Sequence, residues 1–440
     1  MSNRRAKSLL LACGSACALL AATAAANAGG FAIREMSSWG QGSSYAGVAA
    51  GGDLSAMFWN PATMTQAPGI QTEISASGIF PYAANTVGAG STLAVFGGTG
   101  NTADNAFVPS GYVSWQFNPD MWFGLSVNAP FGLSVSFPDL WAGRDTAAGD
   151  SHLRTYNATP SFAYRINDWI SVGVGVQIQY ADASLTQGLA ATPGFQSNLS
   201  GTGWGYGFTG GVTLTPTPTT TLGIGYRSAI NQKISGTLST TAPAATSQAV
   251  NTTVNLPDIV SVGLRQRISP QWTLLGTVEW SNWSRIGTST VYAGGAPALL
   301  LGAFPVALPF QFKDGWFLSA GAEYQWSPQW TLRAGLAYEK SPITDDVRIP
   351  LLPDNDRYWA SVGATYKVSN KLSLDAAYSH IFVKNTSINV VPGNPWFNPL
   401  TGIAYVGSVS SHIDIISVAL KYRWDDPAPE PVKQGYFKAK

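Results

Sequence analysis

The stretch ISVGVGVQIQY, residues 170–180, decides the fold class of this chain. Large apolar side chains occupy every even position of the stretch, and the odd positions carry serine, glycine or glutamine. Side chains alternate between the two faces of a β-strand, so a period of two places all the large apolar groups on one face. The stretch therefore predicts a strand with one apolar face and one polar or small face.

The same alternation recurs and predicts fourteen strands. Eleven charged residues, ten inside these strands and Arg227 one position beyond the seventh, all lie on the face opposite the apolar one, although His380 and Asp414 share the apolar parity near strand ends. Because a basic residue facing lipid costs roughly 2 to 4 kcal/mol at the bilayer midplane, this pattern favours an all-β transmembrane antiparallel barrel over a soluble β-sandwich. The predicted strands are 70–78, 107–117, 121–127, 156–166, 170–180, 204–214, 222–226, 260–268, 272–280, 316–324, 330–338, 358–366, 372–382 and 416–424.

Composition supports the barrel. Charged residues make up 11% of the chain, against roughly 25% in soluble domains. No apolar run long enough for a spanning helix follows the N-terminal signal. The 16 tryptophans, 17 tyrosines and 47 glycines fit aromatic girdles and tight turns. The near-neutral charge gives no reason to expect a nucleic-acid partner.

Four segments are expected. Residues 1–28 are typical of a signal peptide, with three basic residues, an apolar core and Ala26-Asn27-Ala28 before the cleavage point; a lipoprotein signal ending at Cys13 is the alternative. Residues 29–69 alternate poorly and form either a disordered arm or a plug in the lumen. Residues 70–424 form the barrel, and residues 425–440 are a flexible tail.

Short and long connections between the predicted strands alternate without exception. Outer-membrane barrels have short periplasmic turns and long extracellular loops. The alternation therefore predicts that both termini lie in the periplasm of a Gram-negative bacterium.

A set of short motifs resembles the FadL-type outer-membrane transporters of long-chain fatty acids and aromatic hydrocarbons. The resemblance implies a fourteen-stranded barrel with an N-terminal hatch. It also implies passive uptake by extracellular capture, an internal pocket and lateral exit through a kinked strand. The tail after Trp424 departs from the family, whose barrels usually end on that aromatic. The motifs are Gly30-Phe31, GSSYAG at 42–47, Asn60-Pro61-Ala62, APFGL at 129–133, YRIND at 164–168, WGYGF at 204–208, YRS at 226–228, LPD at 256–258 and EWSNWS at 279–284.

Two motifs are candidates for gating. In Asn60-Pro61-Ala62 the proline fixes φ and the asparagine can cap a turn, which predicts a rigid knuckle or an ordinary turn. The resemblance places Phe31 near the ligand pocket. The third strand runs into Ala129-Pro130-Phe131-Gly132, where proline and glycine disrupt a ladder; the wall opens sideways there, or the strand simply ends.

Two apolar segments in predicted loops are candidates for ligand capture, because a large exposed apolar patch is costly unless it binds something. Both segments have the alternative of packing into the barrel mouth. The first lies at 298–310, the second at 135–141, and their candidate contact residues are Leu300, Phe304, Phe310, Phe137, Leu140 and Trp141.

Inward-facing arginines are candidates for binding a ligand carboxylate, because a guanidinium matches a carboxylate in geometry and charge. Acids share the same face, so each arginine has the alternative of pairing across the lumen, and the choice between a fatty acid and an uncharged hydrocarbon stays open. The arginines are Arg165, Arg227, Arg265 and Arg333, with Arg267 near a strand end; the acids are Glu73, Glu279, Glu323 and Asp375.

The sequence thus predicts a passive channel for hydrophobic small molecules, and the main alternative is a porin with a water-filled lumen. A structural barrel or adhesin is a third possibility. An enzyme is disfavoured because the three histidines fall in or near predicted loops, without a nucleophile motif or metal-ligand spacing. No cofactor is expected. A closed barrel has no free edge, so we expect a monomer surrounded by outer-membrane lipid.

Overall fold

The computed structural model describes residues 30–146, 149–189, 192, 194–241, 245–300, 304–399 and 401–426. The expected signal peptide at 1–28 lies outside the described residues, as does the expected tail after Asp426. Within the described part, fourteen antiparallel strands close into a barrel, because each strand pairs with the next and the last pairs with the first from Gln71 to Val87.

The strands are longer than predicted, and four continue after an interruption. Their bounds are β1 (Ile70–Val87), β2 (Ala106–Asn118), β3 (Met121–Asn128 and Gly132–Val135), β4 (Ser151–Arg165), β5 (Ile170–Gly188), β6 (Gln196–Thr217), β7 (Thr220–Arg227 and Ile230–Thr240), β8 (Thr246–Leu256 and Ile259–Arg267), β9 (Trp272–Ser281), β10 (Gly315–Gln325), β11 (Trp330–Lys340), β12 (Arg357–Lys367), β13 (Leu372–Val383 and Thr386–Val390) and β14 (Tyr405–Arg423).

Short elements complete the described fold. One α-helix, α1, covers Ser38–Gln41, and no described helix is long and apolar enough to cross a membrane. The 3-10 helices are Val48–Ala50, Leu54–Phe58, Pro61–Gln66, Ala94–Phe96 and Trp283–Ile286. Three small hairpins lie between β9 and β10: Thr288–Thr290 with Ala307–Pro309, Tyr292–Ala293 with Ala296–Pro297, and Leu299–Leu300 with Phe304–Pro305.

The two predicted faces of the wall are confirmed. Large apolar side chains of the predicted apolar parity are exposed on the outside, as Val174, Tyr206 and Leu336 show. Charged side chains of the opposite parity, such as Glu73 and Asp375, are buried inside. The barrel therefore presents an apolar belt to lipid and keeps its ionisable groups in the lumen.

The predicted strand limits were wrong at the end with the long loops, which we term the extracellular end. Parts of the predicted loops at 81–106, 181–203 and 228–259 are paired strands, and residues 230–240 pair with residues 246–256. These extensions are rich in serine, threonine, asparagine and glutamine. Above the lipid no face needs to be apolar, so the period of two that marks a strand is lost there.

Residues 30–69, which we term the N-terminal segment, lie inside the barrel and contact its wall on several sides. Nearly all of these residues are buried. Asn60 Nδ2 donates a hydrogen bond to Val212 O of β6 (3.0 Å), and the Gly47 N–H donates to Gly276 O of β9 (3.1 Å). On the far side, Gln41 Nε2 donates to Ile415 O of β14 (3.1 Å). Of the two predicted alternatives, the structure favours the plug.

Glycines in the wall leave space for the main chain of the N-terminal segment. A Cβ atom on Gly225 would lie 1.9 Å from Trp59 O, and one on Gly335 would lie 2.1 Å from Ser43 O. No side chain fits at such distances, so glycine is required where the segment approaches the strands. Near the periplasmic end, Asp53 of the segment pairs with Lys421 of β14.

Candidate functional site

An apolar cavity of about 130 Å³ opens at the extracellular end; we term it the outer cavity. Its described lining contains His152 and neutral polar groups but no lysine, arginine, aspartate or glutamate. The main apolar contributions come from Phe31, Leu133, Leu153, Val250, Leu256 and Phe310. A cavity so lined binds ligands through apolar area.

Phe31 lies at the inner side of this cavity, at the centre of a group of aromatic rings. Its ring centroid lies 4.9 Å from that of Trp283, 6.2 Å from that of Phe131 and 6.1 Å from that of Phe310. Phe31 is 4% exposed. The ring therefore closes the inner side of the outer cavity with edge-to-face and tilted contacts.

The ladder on both sides of β3 is interrupted at Ala129-Pro130-Phe131. Asn128 pairs with Asn157 of β4 and Gly132 pairs with Arg154, so β3 carries one extra residue in this interval. On the other side, β2 residues 106–110 pair with β1 but have no partner in β3. The strand resumes at Gly132 and does not end, so the break is a kink with a bulge.

The N-terminal segment is hydrogen-bonded to this kink. The Ile33 N–H donates to Pro130 O (2.8 Å), and the Gly132 N–H donates to Phe31 O (2.9 Å). These bonds give partners to main-chain groups that the interrupted ladder leaves free. Phe31 thus connects the outer cavity to the kink.

A second, smaller cavity of about 50 Å³ lies on the inner side of Phe31; we term it the inner cavity. It touches the kink through Pro130 and Phe131, and it shares Leu256 with the outer cavity. Its charged lining consists of Arg34, Arg227, Glu279 and Glu339. The outer cavity, the inner cavity and the kink therefore lie next to one another, in a row that leads from the barrel mouth to the wall.

A family model described as "Outer membrane protein transport protein (OMPP1/FadL/TodX)" matches residues 19–424. The chain belongs to this family. It is an outer-membrane protein of a transport family, as the sequence motifs predicted.

Similar proteins share the family over most of their length. The long-chain fatty acid transport protein of Escherichia coli K12 is 27% identical over 422 residues, covering 82% of this chain and 90% of the relative. Outer membrane protein P1 of Haemophilus influenzae Rd is 27% identical over 416 residues, covering 83% and 88%.

Solved structures agree with the fold. A Pseudomonas aeruginosa FadL homologue superposes with a TM-score of 0.80 at 25% identity, covering 90% of this chain and 100% of that one. The Pseudomonas putida toluene transporter TodX gives 0.66 at 16% identity, covering 89% and 99%, and supports the fold alone.

The predicted hatch motif of this FadL/TodX-family member forms a hydrogen-bonded corner. Asn60 caps the 3-10 helix Pro61–Gln66, because its Oδ1 accepts a hydrogen bond from the Ala62 N–H (3.0 Å). Its Nδ2 donates to Ala49 O (2.8 Å) as well as to the wall. Pro61 occupies the first helical position, where its missing N–H has no cost. The corner holds the N-terminal segment against β6.

Two of the four candidate arginines are paired with acids. Arg265 lies 2.5 Å and Arg333 lies 2.8 Å from Glu323 carboxylate oxygens, and Arg333 also lies 3.5 Å from Asp375. Both arginines therefore pair with acids, which is the alternative to ligand binding, but along the wall and not across the lumen, because Arg333 lies opposite Glu323 in the register of β10 and β11. Neither of them lines the outer cavity.

The other two candidates are held by main-chain oxygens. Arg165 donates to Thr65 O (2.5 Å), and Arg227 donates to Phe58 O (3.0 Å). Among the described residues, neither has an ion pair with an acid, and only Arg227 lines a cavity. The sequence reading missed Arg34, which lines the inner cavity and lies 2.8 Å from Glu279 Oε1. Arg34 precedes the first predicted strand, so the alternation of apolar and polar residues does not indicate which way its side chain points.

The six predicted capture residues have different environments. Phe137 and Trp141 are buried and stacked, with ring centroids 5.0 Å apart, so this part of their loop packs into the mouth. Leu140 is 42% exposed, and Phe310 lines the outer cavity. The remaining two, Leu300 and Phe304, form the paired ends of a small loop hairpin.

His152 and His412, which the sequence placed in loops, lie within β4 and β14, and His380 lies within β13 as predicted. His152 borders the outer cavity, and His380 and His412 lie in the interior of β13 and β14. No group of three or more potential metal ligands occurs among the described residues.

Proposed function

We propose that the protein is a channel for passive uptake of hydrophobic small molecules, either long-chain fatty acids or aromatic and aliphatic hydrocarbons. One observation carries the proposal: Phe31 closes the apolar outer cavity, and its main chain is bonded to the kink in β3. A ligand that displaces the Phe31 ring from the cavity also disturbs the main chain at the kink. The names of the E. coli and P. putida relatives agree with these two substrate classes.

The proposed route has three steps. The ligand enters the outer cavity from the extracellular side, helped by the exposed Leu140 and by the partly buried Phe310 in the cavity lining. It then displaces Phe31, breaks the bonds at Pro130 and Gly132, and joins the outer and inner cavities. Last, it leaves sideways between β2 and β3, where the ladder is unpaired. No energy input is required, because the route begins with transfer of an apolar molecule from water into an apolar cavity and ends in the apolar membrane, and both transfers are favourable.

The outer cavity supports recognition by apolar area alone. It has no cation in its described lining, so a carboxylate is not required for binding there. The inner cavity carries Arg34 and Arg227, but Arg34 is paired with Glu279. The lining thus supports an uncharged hydrocarbon or the chain of a fatty acid equally well.

The same proposal gives a role to each of the other parts of the chain. Residues 1–28 are removed as a signal peptide, residues 29–69 act as the hatch, and the tail at 425–440 extends into the periplasm. The barrel acts as a monomer in outer-membrane lipid.

Uptake and conductance distinguish the proposal from a porin. The intact protein, expressed in a host that lacks its own uptake system, should take up radiolabelled oleate, hexadecane or toluene faster than the empty host. In planar bilayers it should show no steady large conductance, because the N-terminal segment crosses the lumen. Large steady conductance without hydrophobe uptake would instead identify a porin.

A further inference from the structure

A second interruption of the wall lies between β6 and β7. Residues 197–202 of β6 pair with the extracellular part of β7, and pairing resumes at Thr209 with Arg227. In this fully described stretch, residues 203–208 of β6 and 228–234 of β7 are not ladder partners of each other. We term these two runs the seam. Over the length of the seam, the wall is not closed by a main-chain ladder.

At the seam, β7 covers the inner face of β6 and does not lie along its edge. The inward positions of β6 are glycines here. A Cβ atom on Gly207 would lie 2.7 Å from Ser228 Oγ, and one on Gly203 would overlap Lys233 O. Residues 228–234 therefore lie inside the lumen and reduce its width.

Side chains replace the ladder at the seam. The Phe208 N–H donates a hydrogen bond to Ser228 Oγ (2.8 Å), and Phe208 O accepts from Gln177 Nε2 (2.8 Å) as well as from the Ser228 N–H (2.8 Å). At the other end, Gln232 Nε2 donates to Gly203 O (2.8 Å). Main-chain groups in a membrane wall need partners, and a side-chain partner can be exchanged for a main-chain partner at little net cost. The seam can therefore change its arrangement where a complete ladder cannot.

One glutamine of β5 connects the seam to the N-terminal segment. Gln177 Oε1 accepts a hydrogen bond from Arg227, while Gln177 Nε2 donates to Phe208 O. Arg227 also donates to Phe58 O (3.0 Å), and its guanidinium carbon lies 4.1 Å from the centroid of the Phe58 ring. Both linking side chains are buried. Movement of Phe58 therefore loosens Arg227, then Gln177, and with it the seam.

The run of β7 that covers β6 lines both cavities. Ser228 and Ile230 contribute to the inner cavity, and Gln232 and Ile234 contribute to the outer cavity. An apolar cavity of about 150 Å³ holds benzene, whereas pockets for larger ligands measure roughly 300 Å³ or more. The outer cavity of about 130 Å³ thus matches one aromatic ring and is too small for the chain of a fatty acid.

We propose that the seam opens to enlarge the binding site for long-chain ligands. In the open state β7 leaves the inner face of β6 and pairs with its edge, so that the space of residues 228–234 is added to both cavities. β7 has one residue more than β6 in this interval, which a bulge accommodates. A small aromatic hydrocarbon binds without this change. The inference rests on the proposed function and divides its substrates by length.

A disulfide across the seam tests the proposal. The variant G207C/S228C places two thiols in contact, and the chain's own cysteines, Cys13 and Cys17, lie in the expected signal peptide. Oxidation holds β7 on the inner face of β6 and reduction releases it, so the reduced protein is the reference for folding. The matched control T240C/T246C joins ladder partners at the tip of the same hairpin, whose side-chain oxygens lie 2.8 Å apart.

Binding of tritiated palmitate and tritiated toluene to the purified mature protein is measured by scintillation proximity. Oxidation of G207C/S228C should lower the palmitate affinity about tenfold and leave the toluene affinity unchanged. Oxidation of the control variant should change neither affinity. Equal palmitate affinity of G207C/S228C before and after oxidation would overturn the proposal, and so would an equal loss of toluene affinity.

The variant Q177E tests the connection without a cross-link. Its carboxylate still accepts from Arg227 but cannot donate to Phe208 O. The seam should then open more readily, and the palmitate affinity should rise about threefold with the toluene affinity unchanged. No gain in palmitate affinity would overturn the proposal. A wild type that binds neither probe would contradict the proposed function itself.

Discussion

The main-chain N–H of Gly132 donates a hydrogen bond to the main-chain oxygen of Phe31 across 2.9 Å. One residue belongs to the kink in the wall, and the other closes the cavity in which a ligand is expected to bind. A change at either residue is therefore expected to affect the other.

Replacing Phe31 with alanine should weaken binding of hydrophobic ligands. The ring contributes to the lining of the outer cavity, and its loss should lower affinity about tenfold, or ~1.4 kcal/mol. Quenching of tryptophan fluorescence by a brominated fatty acid measures this affinity. F96A, at a ring that is 36% exposed and does not line the cavity, is the control. Unchanged affinity in F31A would remove Phe31 from the site.

Filling the kink at Gly132 should slow uptake without weakening binding. A leucine side chain at this buried position would occupy space beside the unpaired stretch of β2, and the uptake rate should fall about tenfold, a barrier increase of ~1.4 kcal/mol. Initial uptake rates of radiolabelled ligand measure the effect. G100L is the control, because a Cβ atom there meets open space. Normal uptake by G132L would mean that ligands leave elsewhere.

Adding one methyl group at Gly225 should displace the N-terminal segment. The new Cβ would lie 1.9 Å from Trp59 O, and neither the strand nor the 3-10 turn can yield that far. Single-channel conductance should rise, since the segment no longer fills the lumen. G210A, whose Cβ has its nearest neighbour at 3.8 Å, should keep the conductance of the wild type. Equal conductance in both variants would contradict the close contact.

The docking of the N-terminal segment should weaken as pH rises. Burial raises the pKa of Glu35 to about 7, and its main-chain hydrogen bonds only partly oppose this. A carboxyl whose pKa is raised by docking stabilises the docked state fully at pH below its undocked value and loses that contribution as pH rises through about 7.

Conductance measured at pH 5 and pH 8 tests this dependence. The wild type should conduct more at pH 8, and E35Q should show a smaller difference because its side chain stays neutral. D120N, at an exposed periplasmic turn, should behave as the wild type. If E35Q kept the full difference between the two pH values, another group would control docking.

The strands of the wall could be predicted from the sequence because every second side chain in them faces lipid and must be apolar. Val174 and Tyr206 must be apolar, and Glu73 and Asp375 must face inward, whatever the remaining contacts are. The pairing of Arg265 and Arg333 with Glu323 followed as one of two predicted alternatives, since acids and arginines share the inner face.

The lumen could not be predicted in the same way, because contacts there depend on three-dimensional packing and follow no period. The sequence left open whether Phe137 and Trp141 capture ligand or pack into the mouth, and the choice needed the position of Tyr405, whose ring centroid lies 5.4 Å from that of Trp141. One trace of these contacts does lie in the sequence. The inward positions of β7 and β11 include glycines such as Gly225 and Gly335, where the N-terminal segment touches the wall.

The pairing of Asp53 with Lys421 joins residues 368 positions apart in the chain. A contact of such sequence separation forms late in folding, after shorter-range hairpins. Lys421 belongs to the last strand, which must also meet β1 to close the wall. Capture of the N-terminal segment and closure of the barrel therefore belong to the same late step, and a barrel that closes without the segment would leave the half-buried Lys421 without the carboxylate of Asp53.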